Sequence, residues 1–250
     1  MSRIKERIQV VINSRNRLNP DTDSSSNFTW SYNEIINRIT EIRLDSIQIP
    51  FMWYIINNTN NTLVVNGNDI VVSEGNYTAT TIIPELINKI DAVIGNNTTI
   101  TFSSITGKLT ISGDNPIQIF ADNPPTTNSP LASLLGFLEN SSSALSITGD
   151  STINISGPNY IRIVSDFLTK PINNKTIFSD DSLQNSLLVI PVHSSFGDII
   201  THESDLPLRL SYKFTIRPSD IIDIKLIDEF NNIIDLNGQE WAAQMTFITE

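Results

Sequence analysis

Short runs in which apolar and polar residues alternate, broken by clusters of Asn, Gly, Pro and Ser, dominate this chain. A period of two marks a strand with one buried face. Ile8–Ile12 is the first such run, and Asn13 to Ser26 follows as a polar loop with a turn at Asn19-Pro20-Asp21 and a serine tract at Ser24-Ser25-Ser26. In the run Ile39 to Ile49, Ile42 and Leu44 alternate with polar neighbours, and Ile47 and Ile49 do the same one position out of phase. The slip at Asp45-Ser46 predicts a β-bulge, and Pro50, which has no N–H to give a ladder, ends the strand. Phe51 to Ile56 reads as core, and Asn57 to Asn61 as a loop into a strand over Thr62–Val65. Further strands are predicted over Tyr160–Val164, Ser186–Pro191, Leu208–Ile216, Ile221–Ile227 and Trp241–Ile248, with Pro158, Pro171, Pro207 and Pro218 between them and a hairpin turn over Asp228–Asn232.

Two segments switch to helical spacing. Thr80 or Thr81 can cap a helix with Pro84 in its first turn, apolar positions Ile83, Leu86, Ile87, Ile90 and Val93, and Gly95 at the stop. Pro130–Leu135, ended by Gly136, predicts a shorter one. Strand-like runs Thr98–Phe102, Lys108–Ile111 and Ile117–Phe120 lie between, with turns at Thr106-Gly107 and Gly113-Asp114-Asn115, and a polar bridge follows over Asn140–Ser151. The pattern therefore predicts an N-terminal arm over 1–26, a β-sandwich built from 27–74 and 141–250, and an α+β insertion over 75–140. No fixed-period repeat is visible.

Charge and composition narrow the function classes. The chain has 250 residues, with 16 Lys+Arg against 27 Asp+Glu for a net charge of −11, and only 17% charged residues. Without a cluster of cations to displace counterions from phosphate, direct nucleic-acid binding is not expected. Zero cysteines exclude disulfides, thiolate metal sites and Cys nucleophiles. The charged start, followed by about five apolar-leaning residues, does not read as a signal peptide. No run reaches the ~18 apolar residues of a membrane span. Asn-x-Ser/Thr triplets begin at Asn27, Asn57, Asn60, Asn76, Asn96, Asn154 and Asn174, and reflect an Asn-rich composition.

Candidate chemistry is sparse. His193 and His202 are the two histidines, and Ser194, Ser195, Asp198, Glu203 and Asp205 lie near them. No G-x-S-x-G elbow presents a serine, and adjacent residues of a strand point to opposite faces, so a Ser-His-Asp device is poorly supported. No H-E-x-x-H motif or phosphate-binding glycine loop occurs, and the stretch from Asp21 lacks the glycine and glutamate of a calcium loop. The chain is expected to be no enzyme and to hold no cofactor or metal.

A succession of short motifs carries more information. Ile12-Asn13-Ser14-Arg15-Asn16-Arg17, Ser26-Asn27-Phe28-Thr29, Leu44-Asp45-Ser46-Ile47-Gln48-Ile49-Pro50 and Trp53-Tyr54 open the series. Glu74-Gly75-Asn76-Tyr77-Thr78, the helix Ile83 to Ile90, Ile105–Ile111, Leu134-Leu135-Gly136-Phe137, Asn159–Ile163 and Ile234–Trp241 continue it in order. The chain resembles the penton and minor capsid proteins of large DNA viruses and virophages. That resemblance implies a mainly β fold, an antiparallel jelly-roll-type β-sandwich with a small α+β insertion. It implies a penton (vertex) capsid protein that forms homopentamers and contacts the major capsid protein and other virion proteins, located in the virion and assembled in the infected host cell.

The first seventeen residues hold five of the sixteen cations, Arg3, Lys5, Arg7, Arg15 and Arg17. These residues are the expected docking arm for an acidic neighbour or the major capsid protein. The competing reading is another minor capsid protein or a fibre-like, carbohydrate-recognising β-sandwich in which Trp53, Tyr54 or Trp241 stacks on a sugar; exposure of those rings decides it.

Overall fold

The computed structural model describes residues 6–120, 129–171, 176–177, 183–184, 186–204 and 207–250. The chain divides into two units, Met1–Trp53 with Pro158–Glu250, and Tyr54–Gly157. The first unit begins with β1 (Glu6–Asn13), a single 3-10 turn (Ser14–Asn16), β2 (Asn27–Trp30) and β3 (Ile36–Pro50). The second unit supplies β4 (Thr62–Val65), β5 (Asn68–Val71), α1 (Ile82–Ile94), β6 (Thr99–Ser103), β7 (Lys108–Ile117), β8 (Ile119–Phe120), α2 (Pro130–Leu134) and β9 (Ala144–Thr148). The chain then returns to the first unit through β10 (Tyr160–Val164), α3 (Asp166–Thr169), β11 (Thr176–Ile177), β12 (Leu183–Gln184), β13 (Ser186–Pro191), β14 (Ile199–Glu203), β15 (Leu208–Ile216), β16 (Ile222–Asp228) and β17 (Ala242–Thr249).

All pairings are antiparallel among the described residues of the first unit. One sheet runs β1-β17-β3-β14, with β15 also on β3, and the other runs β13-β10-β16-β2. β14 pairs with residues 46–50 of β3 and β15 with residues 36–42, so the two act as one broken strand. With the second unit and the short β11–β12 pair set aside, the strands in chain order fall as 1-8-3-6 and 2-7-4-5. That order is a jelly roll, two Greek keys folded into facing sheets. The fold is the antiparallel jelly-roll-type β-sandwich with an α+β insertion.

The phase slip in β3 is a bulge. Ser46 pairs with Gln244 and Leu44 with Met245, leaving Asp45 without an opposite residue. The extra residue turns both apolar sets to one side, and Ile42, Leu44, Ile47 and Ile49 are all buried. Asp45 is put to use: its carboxylate accepts from Thr246 Oγ1 at 2.6 Å and from Arg43 Nε. Val10, Ile12, Met245 and Phe247 complete that inner face, and Phe28, Ile161, Ile163, Ile222, Ile224 and Leu226 form the inner face of the other sheet.

The expected arm over 1–26 is not a free arm where it is described. All eight residues of β1 pair with β17, because Val10 and Ile12 must be buried and β17 offers them a ladder. Arg3 and Lys5 lie outside the described residues. The expected insertion over 75–140 is also too short, since the second unit spans Tyr54–Gly157. β4 pairs with β5 and β8, and β9, in what reads as a polar bridge, pairs with β7. Asn66-Gly67, at φ 51° and 76°, is the two-residue hairpin turn that joins β4 to β5.

Inside the second unit α1 starts after Thr81 and stops at Gly95, which is left-handed at φ 60°. Of the predicted face Leu86 and Ile90 are buried and Ile83 and Ile87 pack against the same core half-buried, while Ile82 joins the buried stripe and Val93 is exposed. These side chains share a core with Leu63, Val65, Ile70, Ile111, Leu135 and Phe137. Gly113-Asp114-Asn115 is not a turn but part of β7, where pairing shifts between Ser112 and Ile117. The Asn96 side chain stands in for a strand there, accepting from Asn115 N at 2.7 Å and donating to Asn115 O at 3.0 Å.

Gly136 ends α2 at φ 89°, and a Cβ on it would lie 2.4 Å from the Ser151 carbonyl oxygen; at Gly67 nothing lies within 4 Å. Gly136→Ala combines a forbidden φ with a backbone clash and is expected to cost about 3 kcal/mol of unfolding free energy, against about 1 kcal/mol for Gly67→Ala, read by urea denaturation.

Candidate functional site

The predicted docking residues fall on the end of β1 and the turn that follows it. Asn13 caps the 3-10 turn, its side chain accepting from Arg15 N at 2.9 Å. Ser14 continues the ladder, donating its N–H to the Trp241 carbonyl at 3.0 Å, while its hydroxyl accepts from Trp241 N at 2.9 Å. The same hydroxyl donates to Glu240. Arg17 Nη1 reaches the other Glu240 oxygen at 2.7 Å and the Ser14 carbonyl at 2.9 Å. Arg17 is thus an internal anchor, with its side chain only 18% exposed. Arg7 and Arg15 remain exposed and form no ion pair among the described residues.

Residues 14–26 cross from one sheet to the other under close restraint. Leu18 N–H donates to the Thr29 carbonyl at 2.8 Å, and the Asp23 carboxylate accepts from both Thr29 N and Thr29 Oγ1 at 3.1 Å. Trp241 Nε1 donates to the Ser25 carbonyl at 2.6 Å and its ring meets Phe28 edge-on at 5.8 Å. A shallow groove of about 270 Å³ runs beside β1, lined by Gln9 to Asn13, Asn16 and Trp30 to Tyr32. The Trp30 indole N–H is buried with no acceptor among the described residues.

The other candidates separate. His193 is exposed after β13, His202 is half-buried on β14 opposite Ile47, and no hydrogen bond joins His193 to Ser194, Ser195 or Asp198 among the described residues. Asp198 instead accepts from Ser195 N at 3.0 Å. No group of three or more His, Asp or Glu able to hold a metal occurs among the described residues, and none of the described helices is long and apolar enough to cross a membrane. Trp53 and Trp241 are 5% and 3% exposed, and Trp53 stacks on Phe51 at 4.1 Å. Neither ring offers a sugar an open face; Tyr54 is 37% exposed. The pattern reading does not find β14 or the Glu240 anchor. β14 carries no alternation to read, since Ile199 and Ile200 are adjacent and Thr201, His202 and Glu203 are all polar.

No family model matches the chain, and no curated protein matches its sequence. Among solved structures it is similar to the crystal structure of a mavirus penton protein, at a TM-score of 0.50 and 12% identity, with 97% of this chain and 99% of that one covered. The likeness shows the fold.

Partial burial raises the Glu240 carboxyl pKa, but the hydrogen bonds from Arg17 and Ser14 and the charges of Arg17 and Arg15 outweigh it and hold the carboxyl below its ordinary value. A depressed folded-state pKa stabilises above the unfolded-state value, and that contribution disappears as pH falls through the folded one. Glu240→Gln is therefore expected to cost about 1–2 kcal/mol at pH 7, and its deficit against the parent should shrink as pH falls below the ordinary carboxylate range, followed by urea denaturation across pH.

Proposed function

We propose that this chain is a viral capsid structural protein, a penton that closes icosahedral vertices as a homopentamer and contacts the major capsid protein. The observation that carries the reading is the fold match, which extends over 97% of the chain and so takes in the inserted unit as well as the jelly roll. The motif series in the sequence points the same way. The protein acts in the virion, is assembled into it in the infected host cell, and works without catalysis, metal or cofactor. Burial of Trp53 and Trp241 removes the main support for the sugar-stacking alternative.

Docking on the major capsid protein falls to the cations not consumed inside the chain. Arg17 is bound to Glu240; of the other four, Arg7 and Arg15 form no ion pair among the described residues, and Arg3 and Lys5 lie outside them. Deleting residues 1–17 would take β1 out of its sheet and confuse docking with folding, so point changes are the cleaner test.

Electron microscopy of the purified chain, alone and co-expressed with the major capsid protein, is expected to reveal fivefold rings or vertices; trimers, or absence from vertices in both preparations, would overturn the penton assignment. Arg3→Ala/Lys5→Ala/Arg15→Ala is expected to weaken co-sedimentation with capsid shells by about tenfold at 0.05 M salt and less at 0.5 M, because exposed charge pairs are screened, with Tm unchanged.

A further inference from the structure

The first sheet of the jelly roll has β1 as the edge strand at one end and β14 at the other. Among the described residues β1 has only β17 beside it, and β14 has only β3. An open edge is a row of unpaired N–H and C=O groups, and proteins usually blunt it with proline, bulges or central charges. Neither strand contains proline or glycine, both pair without a register shift, and their charged residues stand only at the ends, Glu6 and Arg7 on β1 and Glu203 on β14. Each edge also presents an exposed apolar residue, Val11 at 69% on β1 and Ile199, the first residue of β14, at 60% exposure.

The two edges match. Ser14 N–H donates to the Trp241 carbonyl, so residues 8, 10 and 12 exchange hydrogen bonds with β17, and Arg7, Gln9 and Val11 turn their backbone groups outward. Phe51 N–H donates to the Asp198 carbonyl and Ser204 N–H to the Asp45 carbonyl, so Ile199, Thr201 and Glu203 are the outward-turned residues of β14. Each neighbouring pair in the order β1-β17-β3-β14 is antiparallel, which leaves β1 and β14 running in opposite directions. A second copy placed to continue the sheet therefore meets β1 with an antiparallel β14. One register sets Arg7 opposite Glu203, Gln9 opposite Thr201 and Val11 opposite Ile199, with all six side chains on the exposed face and Val10 opposite Ile200 on the buried one. A shift of one residue puts the hydrogen-bonding groups out of phase. A shift of two moves Gln9 or Val11 off its match and breaks the Arg7–Glu203 pair. Neither Arg7 nor Glu203 forms an ion pair within the chain among the described residues.

We propose that β1 of one copy of this chain docks on β14 of a second copy, edge to edge and antiparallel, in the register Arg7–Glu203 and Val11–Ile199. The contact is head-to-tail, so each copy keeps one free edge of each kind and the assembly grows into a ring or an open chain. This inference rests on the self-association proposed above and specifies the surfaces that carry it.

A chain without cysteine makes the test direct. Val11→Cys and Ile199→Cys, treated with a short thiol-to-thiol cross-linker, are expected to give a dimer only when the two variants are mixed, and a ladder of higher oligomers when both changes sit in one chain. Arg7→Glu and Glu203→Arg should each raise the concentration at half-assembly by about threefold or more, measured by sedimentation equilibrium, and Arg7→Glu/Glu203→Arg should return it to within about twofold of the parent. Oligomers that form without cross-linking, or Val11→Cys cross-linked to itself, would overturn this interface while self-association stands. A chain that stays monomeric at every concentration, alone and with the major capsid protein, and never cross-links would overturn both.

Discussion

Everything in the jelly-roll unit depends on one placement: β17 lies between β1 and β3. β1 pairs with β17 along all eight of its residues, and β17 pairs with β3 on its other side. Residues more than two hundred positions apart must meet before Val10, Ile12, Met245 and Phe247 can be buried together. The Glu240 anchor reinforces that meeting at the point where the ladder begins. Ser14 and Arg17 bind one carboxylate, and the Trp241 ring beside it holds Ser25 and Phe28. Contacts of such long sequence separation make folding slow, because loop closure must precede the reward.

Local features of this architecture are written plainly in the chain. The bulge at Asp45 follows from two apolar stripes of opposite parity that must face one core, and α1 is delimited by Thr81 and Gly95. The strands Tyr160–Val164, Ser186–Pro191 and Leu208–Ile216 stand where the alternation puts them. Elements whose stability comes from a partner are the ones that do not stand out. β2 is four residues inside a polar loop, carried by Phe28 and Trp30, and β9 exposes Leu145 while burying Ile147. The Ser14–Arg17–Glu240 anchor has no local signature, since it joins positions 223 or more apart. For the same reason Arg17 counts as a free cation in the sequence and as a bound one in the fold.

The second unit obeys a different economy. Its core is assembled from segments between residues 56 and 147, so most of its pairings are local, such as β4 with β5 across Asn66-Gly67 and β6 with β7 across Gly107. It enters the jelly roll between β3 and β10, adjacent elements of different sheets, where a long connection interrupts no ladder. The outer face of its β6-β7-β9 sheet is small and hydroxylic, with Thr110 and Thr148 2.9 Å apart and Ser112 and Ser146 2.8 Å apart. That face contributes little charge, which fits a chain whose polar surface is built from Asn, Ser and Thr.

The place of β17 in the sheet also sets a timetable for synthesis. A ribosome that has finished β16 has made both neighbours of β17 without the strand that joins them, so β1 has no ladder and Val10 and Ile12 have nowhere to go. The second unit, by contrast, is complete by Gly157. A nascent chain therefore carries a finished insertion on an unfinished sandwich until residues 242–249 emerge. A truncated translation product would lack a sheet continuous from β1 to β3.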